Sequence, residues 1–213
     1  MNSIEKIFEE LFSRFPSLEP LRQDVAQSYD IMCECYKRGG KVLICGNGGS
    51  AADAEHIVGE LMKGFISRRE LSESQKAAFS RFENGEYISS HLQGALPAIA
   101  LNAHTALNSA FANDVAADMV YAQQVWGYAN SSPDILIALS TSGNSANVVN
   151  AVKTACALGI ESIGITGSAA SELSSLCTVC IRLPEDETFK VQELTLPVYH
   201  ALCAMTEATY FKN

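Results

Sequence analysis

The stretch Lys41-Val-Leu-Ile-Cys-Gly-Asn-Gly-Gly-Ser-Ala-Ala-Asp53 runs from a short apolar segment through a glycine-rich turn into small, helix-compatible residues. A brief continuous apolar run that ends in glycines and opens a helix is the signature of a strand buried on both faces of a parallel sheet. The pattern recurs at Leu96-Pro-Ala-Ile-Ala-Leu101, Asp134-Ile-Leu-Ile-Ala-Leu139, Ser162-Ile-Gly-Ile-Thr166 and Thr178-Val-Cys-Ile-Arg-Leu183. Each run is followed by small or polar residues and then a helical pattern. Strands alternating with helices predict an α/β fold, an α/β/α sandwich around five parallel strands.

Outward from this core, residues 3 to 37 read as a helical hairpin interrupted near Pro16 and Pro20. Leu18, Leu21, Val25, Met32 and Tyr36 recur at helical steps and form one apolar stripe. Gly39-Gly40 ends that segment, and a last helix is expected from about Phe189 to Tyr210. Residues 64 to 95 break the rhythm, being far longer than an ordinary connection. Within them, Ser72 to Phe82 reads as an exposed helix with Ser72 as N-cap. The whole chain, 1–213, reads as a single domain: N-terminal helices over 1–39, an insertion over 64–95, and the sheet with its helices.

Asp and Glu number 24 against 15 Lys and Arg, a net charge of −9, which weighs against a nucleic-acid partner because phosphate backbones need a cationic face. The seven cysteines are odd in number and lie mostly in apolar runs, as reduced, buried thiols do. Cys177-Thr-Val-Cys180 lacks a second pair for zinc and sits in a strand-like run, so it reads as structural. The opening Met1-Asn-Ser-Ile-Glu-Lys-Ile lacks the basic-then-apolar order of a leader, and no run approaches a membrane span. These features predict a cytoplasmic protein with no membrane partner.

Two strand ends carry chemistry. In an open parallel sheet, ligands bind beyond the carboxyl ends of the strands. The first strand ends in Cys45-Gly-Asn-Gly-Gly-Ser50, whose glycines permit close backbone approach ahead of a helix N-terminus. The third ends in Ser140-Thr-Ser-Gly-Asn-Ser145, a neutral cup of hydroxyl and amide donors suited to a phosphate monoester. No Gly-Lys-Ser/Thr follows, which excludes a P-loop. Nor does an acidic residue end the second strand, as a dinucleotide site would require.

Together with His56-x-x-x-Glu60, Asn113-Asp114 and Gln192-Glu193…His200, these loops resemble the sugar isomerase (SIS) domain family, whose fold is flavodoxin-like. Within it, the resemblance is to the branch that isomerises sedoheptulose 7-phosphate to D-glycero-D-manno-heptose 7-phosphate. The resemblance implies zinc held by His56, Glu60, Gln192 and His200, and a sugar phosphate held by Ser140, Thr141, Ser142 and Ser145. It implies that Asn47, Gly48, Gly49, Ser50, Glu60, Asn113, Asp114 and Gln192 complete the substrate site, and that the protein is a homotetramer. Glu60 is then the general base and His200 its acid/base partner in an enediol mechanism. His91 and His104 match nothing functional.

His56 and Glu60, four apart on one helix, share a face. Gln192 and His200, eight apart, are separated by roughly 12 Å along a straight helix. Either the helix bends at Pro197 or a neighbouring subunit supplies one of them. The chain also departs from the family. Lys63-Gly64-Phe65 stands where a Gly-Arg-Phe/Tyr run is usual, and Thr188-Phe-Lys-Val-Gln-Glu193 lacks the usual Pro and Arg. Lys63, Arg68, Arg69, Lys76 and Arg81 cluster in and beside the insertion, which predicts a cationic lid that compensates for the lost arginine. The competing reading is a non-catalytic SIS protein that binds a phosphosugar or a partner, like the initiator-associating regulator of bacterial replication. That regulator lacks the catalytic Glu and His, which are present here.

Overall fold

The computed structural model describes residues 3–129 and 133–211. Met1 and Asn2, which open the stretch read against a leader, lie outside them. Five strands form one all-parallel sheet: β1 (Val42–Cys45), β2 (Ala98–Ala100), β3 (Ile135–Leu139), β4 (Glu161–Thr166) and β5 (Val179–Arg182), in spatial order β2-β1-β3-β4-β5. The five apolar runs are these strands, some shortened. Leu101 already begins a 3₁₀ turn, and Cys177 precedes β5 rather than lying within it.

Alternation along each strand feeds two cores. Val42, Ile44, Ile135, Ile137, Ile163 and Ile165 face α1 (Ser3–Arg14), α2 (Arg22–Lys37), α3 (Gly49–Met62) and α10 (Thr188–Tyr210). Leu43, Cys45, Leu136 and Ala138 face α7 (Val120–Tyr128) and α8 (Ala146–Ala157). Because both faces are covered, every residue of β1 and β3 is buried. A 3₁₀ segment at Pro16–Leu21 joins α1 to α2, as the prolines require, and the stripe Leu18, Val25, Met32, Tyr36 is buried. The chain moves outward from β1 to β2 and then returns to β3 on the other side. The crevice beyond the ends of β1 and β3 is therefore the topological switch point.

The insertion is two different things. Its base is tied down: Glu70 and Gln93 form an antiparallel bridge, Gly94 N donates to Arg69 O at 2.7 Å, and Gly64 N donates to the Gln93 side chain at 2.8 Å. Its outer part carries α4 (Glu73–Ala77) and α5 (Gly85–His91). Ser72 caps α4 through a capping box with Gln75, so the expected helix exists but stops short of Phe82.

The cationic lid does not form as expected. Arg69 is buried to 3% exposure and is structural, because its guanidinium is consumed by interior acceptors. Lys76 pairs with Glu73, Arg81 stacks on Phe82, and Arg68 lies 3.7 Å from Glu70. Of the five cations, Lys63 is the one beside the site, with Nζ 3.9 Å from Glu60 Oε2.

Candidate active site

Both ligand loops open at the switch point. Asn47 is locked by a reciprocal amide pair: its Nδ2 donates to Asn147 Oδ1 at 2.8 Å, and Asn147 Nδ2 returns a bond to Asn47 Oδ1 at 2.9 Å. Tyr121 donates to Gly46 O at 2.7 Å beneath them, and burial raises its phenol to about 12. Gly49 starts α3 directly against Gln192, where a Cβ would stand 2.6 Å from Gln192 Nε2. Only glycine lets α10 deliver that amide so close to the turn. Ser50 is buried behind it.

The second loop is a cup. Ser140 and Ser145 hydroxyls lie 3.0 Å apart, Ser142 Oγ accepts from Asn144 N at 3.2 Å, and Thr141 O anchors Gly167 N at 3.0 Å. Ser145 is the N-cap residue of α8, but its side chain does not cap that helix. The α8 N-terminus therefore keeps donors and a positive dipole end available to an anion.

About two to three turns along α3, His56 Nε2 stands 3.1 Å from Glu60 Oε1, and the His56 and His200 rings are 5.0 Å apart, edge to face. Tyr199 Oη donates to Asp53 Oδ1 at 3.3 Å, so at 2.9 Å it accepts from His56 Nδ1. That assignment leaves the Nε2 lone pair facing a carboxylate oxygen, two acceptors that a shared proton or a cation would reconcile. Burial raises the Asp53 carboxyl, against the opposing bond from Tyr199. Burial and then His56 lower His200, which favours its neutral imidazole. Phe65 lies 5.4 Å from the His200 ring. A cavity of about 220 Å³ reaches His200 between α1 and α10, with Arg14, Phe65 and Leu196 in its wall.

Glu60 Oε2 and His200 Nε2 are buried without a hydrogen-bond partner. With His56 Nε2 they make two imidazoles and a carboxylate, a donor set that suits zinc. Among the described residues, no three His, Cys, Asp or Glu side chains close around one point. The donors therefore match the metal in kind while standing apart in position. Gln192 is not with them. It lies level with Gly49, seven residues or about 10 Å of helix rise from His56. α10 nevertheless runs as one helix through Pro197.

Asn113 and Asp114 pair with each other at 2.8 Å at the end of α6 (Thr105–Asp114), a helix with no buried residue, and neither bonds to the rest of the site. Sequence reasoning missed Asp53, Tyr121, Asn147 and Tyr199. Asp53 was findable, since it shares the α3 stripe with His56 and Glu60. The other three act through contacts distant in sequence.

Fold and site together define a class. The SIS domain profile matches residues 95–205 and a second SIS domain profile matches residues 8–94; the chain belongs to the SIS domain family. In particular it is similar to phosphoheptose isomerases. Phosphoheptose isomerase 1 of Campylobacter jejuni is 33% identical over 210 residues, covering 99% of this chain and all of the relative. The solved phosphoheptose isomerase of Neisseria gonorrhoeae superposes with a TM-score of 0.73 at 29% identity, over 94% of this chain and 95% of that one. The corresponding structure from Francisella tularensis gives 0.72 at 29% identity, over 97% and 99%.

Proposed function

We propose that the chain is an aldose–ketose isomerase that converts sedoheptulose 7-phosphate to D-glycero-D-manno-heptose 7-phosphate, acting as a single SIS domain in the cytoplasm. The observation that carries the reading is the Glu60 carboxylate. It is 8% exposed, has one oxygen on His56 and the other without a hydrogen-bond partner, and carries a charge that acts on His200 across a sugar-phosphate-type crevice. A non-catalytic binding protein has no use for an unsatisfied buried carboxylate beside a neutral imidazole.

The phosphate binds in the Ser140–Ser145 cup, held by hydroxyls and the α8 N-terminus. The Asn47 and Gln192 amides orient the sugar hydroxyls. Glu60 removes the proton from the carbon next to the carbonyl, and His200 moves protons between the two oxygens of the resulting cis-enediol. His56, Glu60 and His200 would hold zinc, with Gln192 joining from elsewhere, and the ion when bound would polarise the carbonyl.

The test is to incubate the purified protein with a panel of ketose phosphates, with and without added zinc, following aldose formation. Turnover of the seven-carbon substrate above five- and six-carbon ones is expected, with loss on chelation and return with zinc. No aldose from any member would sink the isomerase reading.

The oligomer is the second part of the reading. α6 has no fully buried residue and packs on its own chain through the half-buried Phe111 and Ala112, while Leu107, Val115, Met119 and Trp126 are exposed along α6, α7 and the turn between them. Such an apolar face suits a second copy. That copy would bring Asn113 and Asp114, or Gln192, to a neighbour's site. Light scattering is expected to give a tetramer mass at micromolar concentration; a monomer there would remove the shared-site arrangement.

A further inference from the structure

Arg69 lies in Ser67-Arg-Arg-Glu70, which reads in sequence as solvated charge. In the structure its side chain is fully buried, and it is the non-glycine residue with positive φ (50°) among those described. That backbone state costs roughly 1 kcal/mol and is kept where surroundings enforce it. The enforcement is visible. Nε donates to Glu207 Oε1 at 2.6 Å, Nη1 to Leu61 O at 2.6 Å and Nη2 to Glu60 O at 2.8 Å.

Those two carbonyls belong to the last turn of α3, where no amide of the helix itself reaches them; Leu61 O also accepts from Leu96 N at 3.0 Å, whereas Glu60 O is met by the guanidinium. The guanidinium thus caps the helix end that carries the proposed base. Glu207, 2% exposed, accepts in turn from the backbone N–H groups of Phe65, Ile66 and Ser67 at 2.8, 2.8 and 3.0 Å. Burial alone would raise its carboxyl, but these donors and Arg69 outweigh it and its pKa falls below the ordinary value. The turn so formed holds the Phe65 ring against His200. One buried ion pair therefore supports the backbone of Glu60 on one side and the ring backing His200 on the other. A fully satisfied network of this kind is rigid.

We propose that Arg69 and Glu207 are positioning residues for proton transfer, setting the Glu60 backbone and the Phe65–His200 contact without touching substrate. The proposal rests on the isomerase reading above. It also gives the insertion a role: its tied base, not its exposed outer part, serves the site. A base misplaced by about 1 Å costs on the order of 100-fold in rate.

The experiment compares Arg69→Met, Arg69→Lys, Glu207→Gln and the double variant R69M/E207L with the parent. The double variant removes both buried charges and so covers the case in which single variants fail to fold. For folded protein, kcat is expected to fall about 10- to 100-fold while KM stays within about twofold, because the phosphate cup is elsewhere. Arg69→Lys, which can meet Glu207 but not span both carbonyls, recovers only part. With the ketose phosphate deuterated at C1 the isotope effect on kcat rises, as proton transfer becomes slower. Arg68→Ala, exposed and adjacent, keeps the parent kcat. Amide exchange is expected to accelerate over residues 60–67 in the double variant.

Parent kcat in the folded double variant, or a loss matched by its unfolded fraction alone, overturns the proposal. Should the parent itself be inactive, the isomerase reading fails separately, and unchanged exchange over residues 60–67 still overturns the positioning role.

Discussion

Glu60→Gln is expected to lower kcat by at least about 100-fold while leaving the fold and phosphosugar affinity close to the parent. The amide keeps the shape of the carboxylate and loses its basicity. Its environment makes the substitution clean. One oxygen meets only His56, the other has no hydrogen-bond partner, and the backbone carbonyl is held independently by Arg69. The contacts that depend on the charge are the His56 Nε2 approach at 3.1 Å and the loose approach of Lys63 Nζ at 3.9 Å, and both lie along α3 and its C-terminal end, so neither ties one element to another. The effect should appear in kcat rather than KM, because phosphate recognition belongs to the Ser140–Ser145 cup and the proton is abstracted only on the way to the enediol. Parent-level turnover by the folded variant would remove Glu60 as the base.

The second large effect is expected at Gly143→Ala. Gly143 has φ +66° in the middle of the phosphate cup, and an added Cβ would overlap Ser171 Oγ and stand 2.8 Å from Thr166 Oγ1. The strained backbone costs about 1–2 kcal/mol. The overlap is not easily relieved, because Ser171 forms a capping box with Ser174 at the start of the short helix Glu172–Leu176, and Leu173 N donates to Gly143 O at 3.0 Å. Losing that cap adds about 1 kcal/mol. Denaturant unfolding should show a loss of about 2–3 kcal/mol, and KM for the phosphosugar should rise at least tenfold as the cup distorts. Gly159→Ala is the control. Its φ is +69°, but nothing lies within 4 Å, so it should show the backbone strain with no change in KM. Equal behaviour of the two variants would mean that the cup tolerates the overlap.

The difference between these two glycines shows where sequence reading ends. Both stand in turns and both carry positive φ, yet the neighbour that makes Gly143 critical, Ser171, is 28 residues away in the chain. Arg69 makes the same point with opposite sign. A charged tripeptide neighbourhood in a long polar insertion reads as surface, and this one arginine is buried because Glu207, at the far end of the chain, and two helix-terminal carbonyls happen to converge on it. Asn147 and Tyr121 were silent for the same reason, since their partner Asn47 sits on a loop about 100 and 74 residues distant.

What the sequence determined by itself is what repeats locally. Apolar runs of strand length alternating with helical patterns specify a parallel sheet, because a strand buried on both faces has no other solution. His56 and Glu60 share a face through the helical period alone, and the glycine and serine loops declare themselves because strand ends in such a sheet are where ligands bind. What only the tertiary structure decided is how separate elements meet: that His200 reaches His56 while Gln192 stops at Gly49, that Asn113 and Asp114 bond to each other at the end of α6, and that Arg69 is buried against the end of α3 rather than covering the site. Local pattern sets which face of an element is apolar, whereas the level at which two packed helices align depends on side-chain interlocking and buried charge satisfaction across the whole chain, and no short window of sequence contains either.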